Sequence, residues 1–192
     1  MDIKRIIPLA ALFVLLVVLV VLFFIGGTEE PPMLDPVPVP DDAGLDSAEP
    51  RQTRIITLFF LSDKDNLLHP EEREIYANEL TVFEAKQTIE ELIRGSSEGA
   101  LASIPLGTRL REMYITRERI AYVDFSRELT DNHGSGTAAE AATVFAIVNT
   151  LTRNFESIER VSILIEGNER ETFNGHIDLT RPLLPRSDLI GK

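Results

Sequence analysis

The chain predicts an α+β fold: a two-layer sandwich, mainly antiparallel sheet with two helices on one face, preceded by one N-terminal transmembrane helix. Three observations carry this expectation. Residues 6–25 form twenty consecutive residues without a charge. Two later segments repeat apolar residues at helical spacing. Around them lie short runs rich in β-branched and aromatic residues, in an order that suits a sheet covered on one side by helices.

The apolar run contains Ile6, Pro8, Leu12, Leu16, Val20, Phe24 and Ile25 and follows Lys4 and Arg5. A helix of that length rises about 30 Å, the thickness of a bilayer's hydrocarbon core. Its length and its bulky end at Phe23-Phe24-Ile25 favour an uncleaved signal anchor. Cleavage near Gly26-Gly27-Thr28 is the alternative. Pro8 falls in the first turn, where its missing N–H costs least. Two basic residues before the run, and none from Thr28 to Pro50, orient the N-terminus to the cytoplasm. The expected place is therefore the bacterial inner (cytoplasmic) membrane, single-pass, with the C-terminal domain periplasmic or extracytoplasmic. Residues 1–27 are expected to be the anchor.

Residues 28–53 are expected to form a disordered tether. Glu29 to Pro50 holds six prolines and seven carboxylates without one base. Such a segment buries too little apolar surface to offset its ordering entropy. Extended, it could span roughly 70 Å at about 3.1 Å per residue.

Residues 54–192 have the length of one domain with its own core. Their net charge is about −7 within a total of −12, which argues against nucleic acid as a partner. The absence of cysteine excludes disulfides and thiolate metal sites.

Ile55–Leu61 predicts a buried strand. Leu67-Leu68 and Arg73–Tyr76 predict short edge pieces interrupted at Pro70. Thr81 and Glu84 have capping-box spacing and open a helix with Val82, Ala85, Ile89, Leu92 and Ile93 inward, stopped at Gly95. Leu110–Thr116 and Ile120–Phe125 predict a hairpin around Arg117-Glu118-Arg119. Thr137 and Glu140 repeat the capping-box spacing at the head of a helix to about Thr152, apolar nearly all round. Val161–Ile165 predicts a strand, Glu166–Glu169 a turn and Arg170–Phe173 its returning strand. The central order of strand, helix, two strands, helix, strand matches a split-βαβ unit, with ferredoxin-like pairing one candidate among others.

Seven pieces, in order, resemble the GerM-type (GerMN, sporulation and spore germination) domain family. They are Leu58-Phe59-Phe60 with Pro70–Arg73; Ala85–Gly95; Ser103–Thr108; Ala121–Ser126; Ala146–Thr152; Val161–Gly167; and Gly175–Leu179. The resemblance covers roughly Ile55 to Pro182. It implies an exported, membrane-attached domain with a structural or assembly role, a fold similar to ring-building domains of secretion systems, and no established catalytic residues. The chain departs from the family in having one domain copy, a helical anchor in place of a lipidated cysteine, Ser96 where proline is common, and a hairpin turn without glycine.

No catalytic, metal or cofactor site is expected. His69, His133 and His176 lack the paired spacing of a metal site. Ser135, His176 and Asp178 supply triad residue types, but the sequence around Ser135 is not a nucleophile elbow. Asp124, Asp178, Glu71 and Glu72 are the carboxylates that could serve sugar hydrolysis; Asp124 is expected to face water or cap a neighbouring turn. Asn149 lies on the most apolar helix and calls for hydrogen-bond partners if buried. Tyr122, Asp124, Asn149, His176 and Asp178 are therefore the candidate interface or motif residues. The expected partners are the bilayer, through the N-terminal helix, and envelope proteins or a second copy. No small-molecule ligand is expected. The alternative is an accessory protein that binds or hydrolyses cell-wall peptidoglycan.

Overall fold

The computed structural model describes residues 52–134 and 136–191. The predicted anchor and nearly all of the tether lie outside these residues. Among the described residues, no helix is long and apolar enough to cross a membrane.

The chain opens with β1 (Thr53–Leu61) and β2 (Leu68–Tyr76), an antiparallel pair with Thr53 opposite Tyr76 and Leu61 opposite Leu68. The strand β2 runs unbroken through Pro70, against the expectation of two pieces. Phe59 N–H points away from β2, so Phe59 and Pro70 form a non-hydrogen-bonded pair. The missing N–H of Pro70 therefore falls on the outer side of an edge strand, where the ladder does not need it.

Helix α1 (Thr81–Arg94) follows, then the hairpin of β3 (Leu110–Ile115) and β4 (Ile120–Phe125). The hairpin closes through Arg117-Glu118-Arg119. Thr116 N–H donates to Ile120 O at 2.9 Å, and Arg119 takes φ 63°. This is the three-residue loop that ends in a left-handed residue, with arginine where glycine is usual.

A four-residue helix, α2 (Glu128–Asp131), precedes α3 (Thr137–Asn154). Ala142 to Leu151 are all buried, which bears out the helix without a polar face. The reason is that α3 packs against β1, α1, β5 (Arg160–Ile165), the short β7 (Ile177–Asp178) and a 3-10 turn at Ser187–Leu189.

β4 and β5 pair in parallel, with Ala121 opposite Val161 and Phe125 opposite Ile165. The three-stranded sheet runs β3-β4-β5. Its parallel strands are adjacent, so the βαβ unit is not split and ferredoxin-like pairing is excluded. One face carries Met113, Ala121, Val123, Phe125, Val161, Ile163 and Ile165, all in the core with α1 and α3. The α+β class and antiparallel hairpins stand, but the strands form separate sheets, and one pairing is parallel.

The strand β1 stays out of that sheet because side chains occupy its second edge. Thr57 N–H donates to Asn154 Oδ1 at 2.8 Å, and Asn154 Nδ2 donates to Thr57 O at 2.7 Å. Phe59 N–H donates to Thr150 Oγ1 and Leu61 N–H to Ser103 Oγ. An amide and two hydroxyls satisfy the groups that a neighbouring strand would otherwise take.

Both capping boxes are corrected. Neither helix has a side-chain cap; Leu80 and Gly136 hold the cap positions. Glu84 accepts from Asn78 N–H and pairs with Arg54 at 2.6 Å. Glu140 turns to His176, with Oε1 at 2.7 Å from Nδ1. Each carboxylate is buried, and a distant partner outcompetes the local cap. Gly95 ends α1 at φ 95° and ψ 177°, a positive φ outside the left-handed helical well.

The returning strand from Arg170 is also corrected. Glu166 and Gly167, at φ 53° and 75°, make the tight turn after β5. The chain then leaves β5, because the outer edge of β5 pairs with Leu183 through Val161 in both directions. β6 (Thr172–Phe173) pairs instead with β7. The segment after Asp178, without a sequence period, is held by Leu183 and by a bridge from Ile190 to Leu68.

Candidate functional site

Four long strand edges leave the two larger sheets, and three are closed or defended. From Thr57 to Leu61 the edge of β1 is capped by Asn154, Thr150 and Ser103. The outer edge of β5 is paired with Leu183 at Val161 and with Asn168 at Ile165. The outer edge of β2 takes Gly191 N–H at Leu68 O, and beyond it carries Pro70 and the exposed Glu72 and Glu74. Proline and like charges are the usual means of keeping another strand off an edge.

The edge of β3 is different. Thr116 and Ile120 form a hydrogen-bonded pair, so alternation points the backbone groups of Met113 and Ile115 outward. Among the described residues, Met113 N–H reaches only the side chain of its neighbour, donating to Glu112 Oε1 at 2.9 Å. That carboxylate also binds the Lys86 ammonium. Hydrogen bonds from Lys86 and from Met113 N–H hold the Glu112 carboxyl below its usual range.

A cavity of about 540 Å³ runs along this edge, between β3 and the first turn of α1. Leu80, Val82, Phe83, Met113, Tyr114 and Ile115 supply its apolar wall. Leu80, Phe83 and Tyr114 are large apolar side chains at 58%, 49% and 49% exposure. They cluster beside a strand that is unpaired among the described residues. Tyr114 continues onto the sheet's outer face by stacking on Tyr122, with ring centroids 4.8 Å apart and planes 8° apart.

The predicted residues do not converge on one site. Tyr122 belongs to the face just described. Asp124 shares that face of β4 but is buried; it accepts from Arg111 Nε at 3.0 Å and Gly167 N–H at 2.7 Å. It caps the turn after β5 rather than facing water. Asn149 is buried and clamps an extended tail: Arg186 N–H donates to its Oδ1 at 2.9 Å, and its Nδ2 donates to Arg186 O at 3.1 Å. His176 docks on Glu140, while Asp178 accepts from the backbone and hydroxyl of Thr180. Ser135 lies outside the described residues.

Glu71, also a predicted carboxylate, sits in a structural cluster. Burial alone would raise its pKa. Hydrogen bonds from Ser96, from Ser97 N–H and hydroxyl, and from Arg73 outweigh burial and lower it to about 2. Arg73 also binds Glu91 at 3.0 Å and donates to Gly95 O, one of the orphan carbonyls of α1. Ser96 thus has a structural use in this chain. Among the described residues, no group of three or more His, Asp or Glu is placed to hold a metal ion.

The sequence did not mark the β3 edge, because being an edge depends on which strands pair. Its one legible signal was the alternation that puts Tyr114 and Tyr122 on one face.

The profile described as "Sporulation and spore germination" (Germane) matches residues 57–171. The chain belongs to this family, whose domain is the GerMN type. Among solved structures, the tandem GerMN domains of the sporulation protein GerM from Bacillus subtilis match at 25% identity and TM-score 0.57. That match covers 71% of this chain, and the chain spans about half, 48%, of the tandem structure. The first GerMN domain of the same protein matches at 24% identity and TM-score 0.53, over 70% of this chain and 99% of that one, and shares the fold. No curated protein matches the chain.

Proposed function

We propose that this chain is a membrane-anchored, extracytoplasmic assembly protein that acts by protein–protein contact in the bacterial envelope. One observation carries the reading: among the described residues the β3 edge is unpaired and bordered by exposed Leu80, Phe83 and Tyr114, while the other long edges are capped, paired or charged over part of their length. An open strand edge beside an apolar groove suits docking of another chain. The location rests on the apolar run at residues 6–25 behind Lys4 and Arg5. Residues 28–53 would stand the domain off the bilayer, and the family membership agrees with an assembly role. The cell-wall reading draws less support, since Asp124 and Glu71 are both engaged by arginine.

The test is chemical crosslinking of the full-length protein in its native membrane, followed by identification of what is captured. Recovery of envelope proteins or of a dimer is expected. Recovery of the uncrosslinked monomer alone would contradict the assembly role.

A further inference from the structure

The β3 edge reads Glu112-Met113-Tyr114-Ile115-Thr116-Arg117. Its centre is apolar, with an acid at one end and a base at the other. In its regular stretch, Met113 and Ile115 turn their backbone groups outward, and they flank Tyr114 symmetrically. These are the properties of a segment complementary to itself when reversed.

We propose that two copies of the chain associate through β3, antiparallel about a two-fold axis at Tyr114, to make one six-stranded sheet. The proposal rests on the assembly reading above and names the occupant of the edge. In this register Met113 of one copy lies opposite Ile115 of the other. Each such pair exchanges two N–H···O bonds, so the symmetric contact forms four. Met113 N–H leaves the Glu112 carboxylate for the second copy's Ile115 carbonyl. Glu112 then lies opposite Thr116 of the second copy, beside that copy's Arg117. Arg117 is exposed and has no ion-pair partner among the described residues. Regular pairing stops at the bulge between Leu110 and Glu112, which limits the contact to this short stretch.

Side chains support the same register. Tyr114 of each copy faces its mate, extending the Tyr114–Tyr122 stack across the axis. On the other side of the sheet, Leu80 and Phe83 of both copies approach the axis and cover each other. A contact of this kind is isologous, the same patch serving both copies, and Arg111, which comes opposite the second copy's Arg117, has its charge held by Asp124 and Glu166. Charge also favours a second copy over an unrelated strand, because the acid and the base that flank the apolar centre are both supplied by the edge itself.

The chain has no cysteine, so one substitution gives an unambiguous readout. Facing residues of a non-hydrogen-bonded antiparallel pair have Cα atoms about 4.5 Å apart, within reach of a disulfide. Full-length Tyr114→Cys, oxidised in native membranes, is expected to run as a covalent dimer. Tyr122→Cys, one strand spacing further in on each side, is expected to stay monomeric. In the Tyr114→Cys background, Glu112→Arg or Arg117→Glu alone should cut the dimer yield at least threefold, and the two together should restore it. A monomeric Tyr114→Cys, or equal dimer from both cysteine positions, would overturn the self-pairing. If Tyr114→Cys stays monomeric while crosslinking still captures other envelope proteins, the edge serves a different chain and the assembly reading survives. If nothing is captured, both fail.

Discussion

The side-chain amide of Asn154 pairs with the backbone of Thr57 as a neighbouring strand would. It donates to the carbonyl at 2.7 Å and accepts from the N–H at 2.8 Å. With Thr150 and Ser103, it makes α3 and the loop before β3 the lateral partners of β1. The helix therefore fixes where the first hairpin sits, and it leaves β3 rather than β1 as the sheet edge open to other chains.

Asn154→Ala removes both partners of Thr57 and is expected to cost about 1–3 kcal/mol, as for backbone groups left unsatisfied. Asn154→Asp keeps the acceptor but sets a carboxylate oxygen against the carbonyls of Thr57 and Thr150, so its loss should be at least as large. Urea unfolding of each variant, compared at equal m-value, checks the order.

Glu71 should make the domain acid-sensitive. Its folded-state pKa, about 2, lies below the ordinary glutamate value of 4.5. A depressed pKa contributes stability that is fully present above the unfolded value and is lost as pH falls from about 4.5 toward 2. At about 1.4 kcal/mol per pKa unit, the linked term is roughly 3 kcal/mol. Glu71→Gln should lower stability at pH 7 and flatten the stability profile over that window. An unchanged profile between pH 4.5 and 2 would remove Glu71 from this role.

Asn149→Ala should release the C-terminal segment without dissolving the core. Arg186 N–H and C=O lose their partner, while Val161 and Leu183 keep theirs. Amide hydrogen exchange is the measurement, and faster exchange at Arg186 with little change at Val161 is the expected pattern.

Much of the fold was legible because it rests on period. β1, α1, the β3–β4 hairpin, α3 and β5 each carry an unbroken apolar pattern, and the structure places them where the pattern does. What the sequence hid depends on distant partners. Glu84 and Glu140 have the spacing of capping boxes, but Arg54 and His176 claim their carboxylates. α2, β6 and β7 are two to four residues long, too short for any period to register. Asn149 and Asp124 were singled out for their chemistry, and both prove to hold loops in place. The β3 edge could not be singled out, because its openness follows from β1 pairing elsewhere.

Phe83→Ser should separate folding from function. Phe83 is half exposed on the first turn of α1, so its loss is expected to lower stability by only about 1 kcal/mol. Its loss should nevertheless reduce capture of partners in the membrane severalfold. Thermal unfolding and crosslinking yield, measured on the same preparation, check both halves.

The most direct measurement of the central claim is site-specific photo-crosslinking of the full-length protein in its native membrane. One probe replaces Phe83 beside the β3 edge; a second replaces Glu98, an exposed residue past the opposite end of α1. An open β3 edge used for assembly predicts protein adducts from position 83 and few or none from position 98. Adducts of equal yield from both positions, or none from position 83, would contradict it.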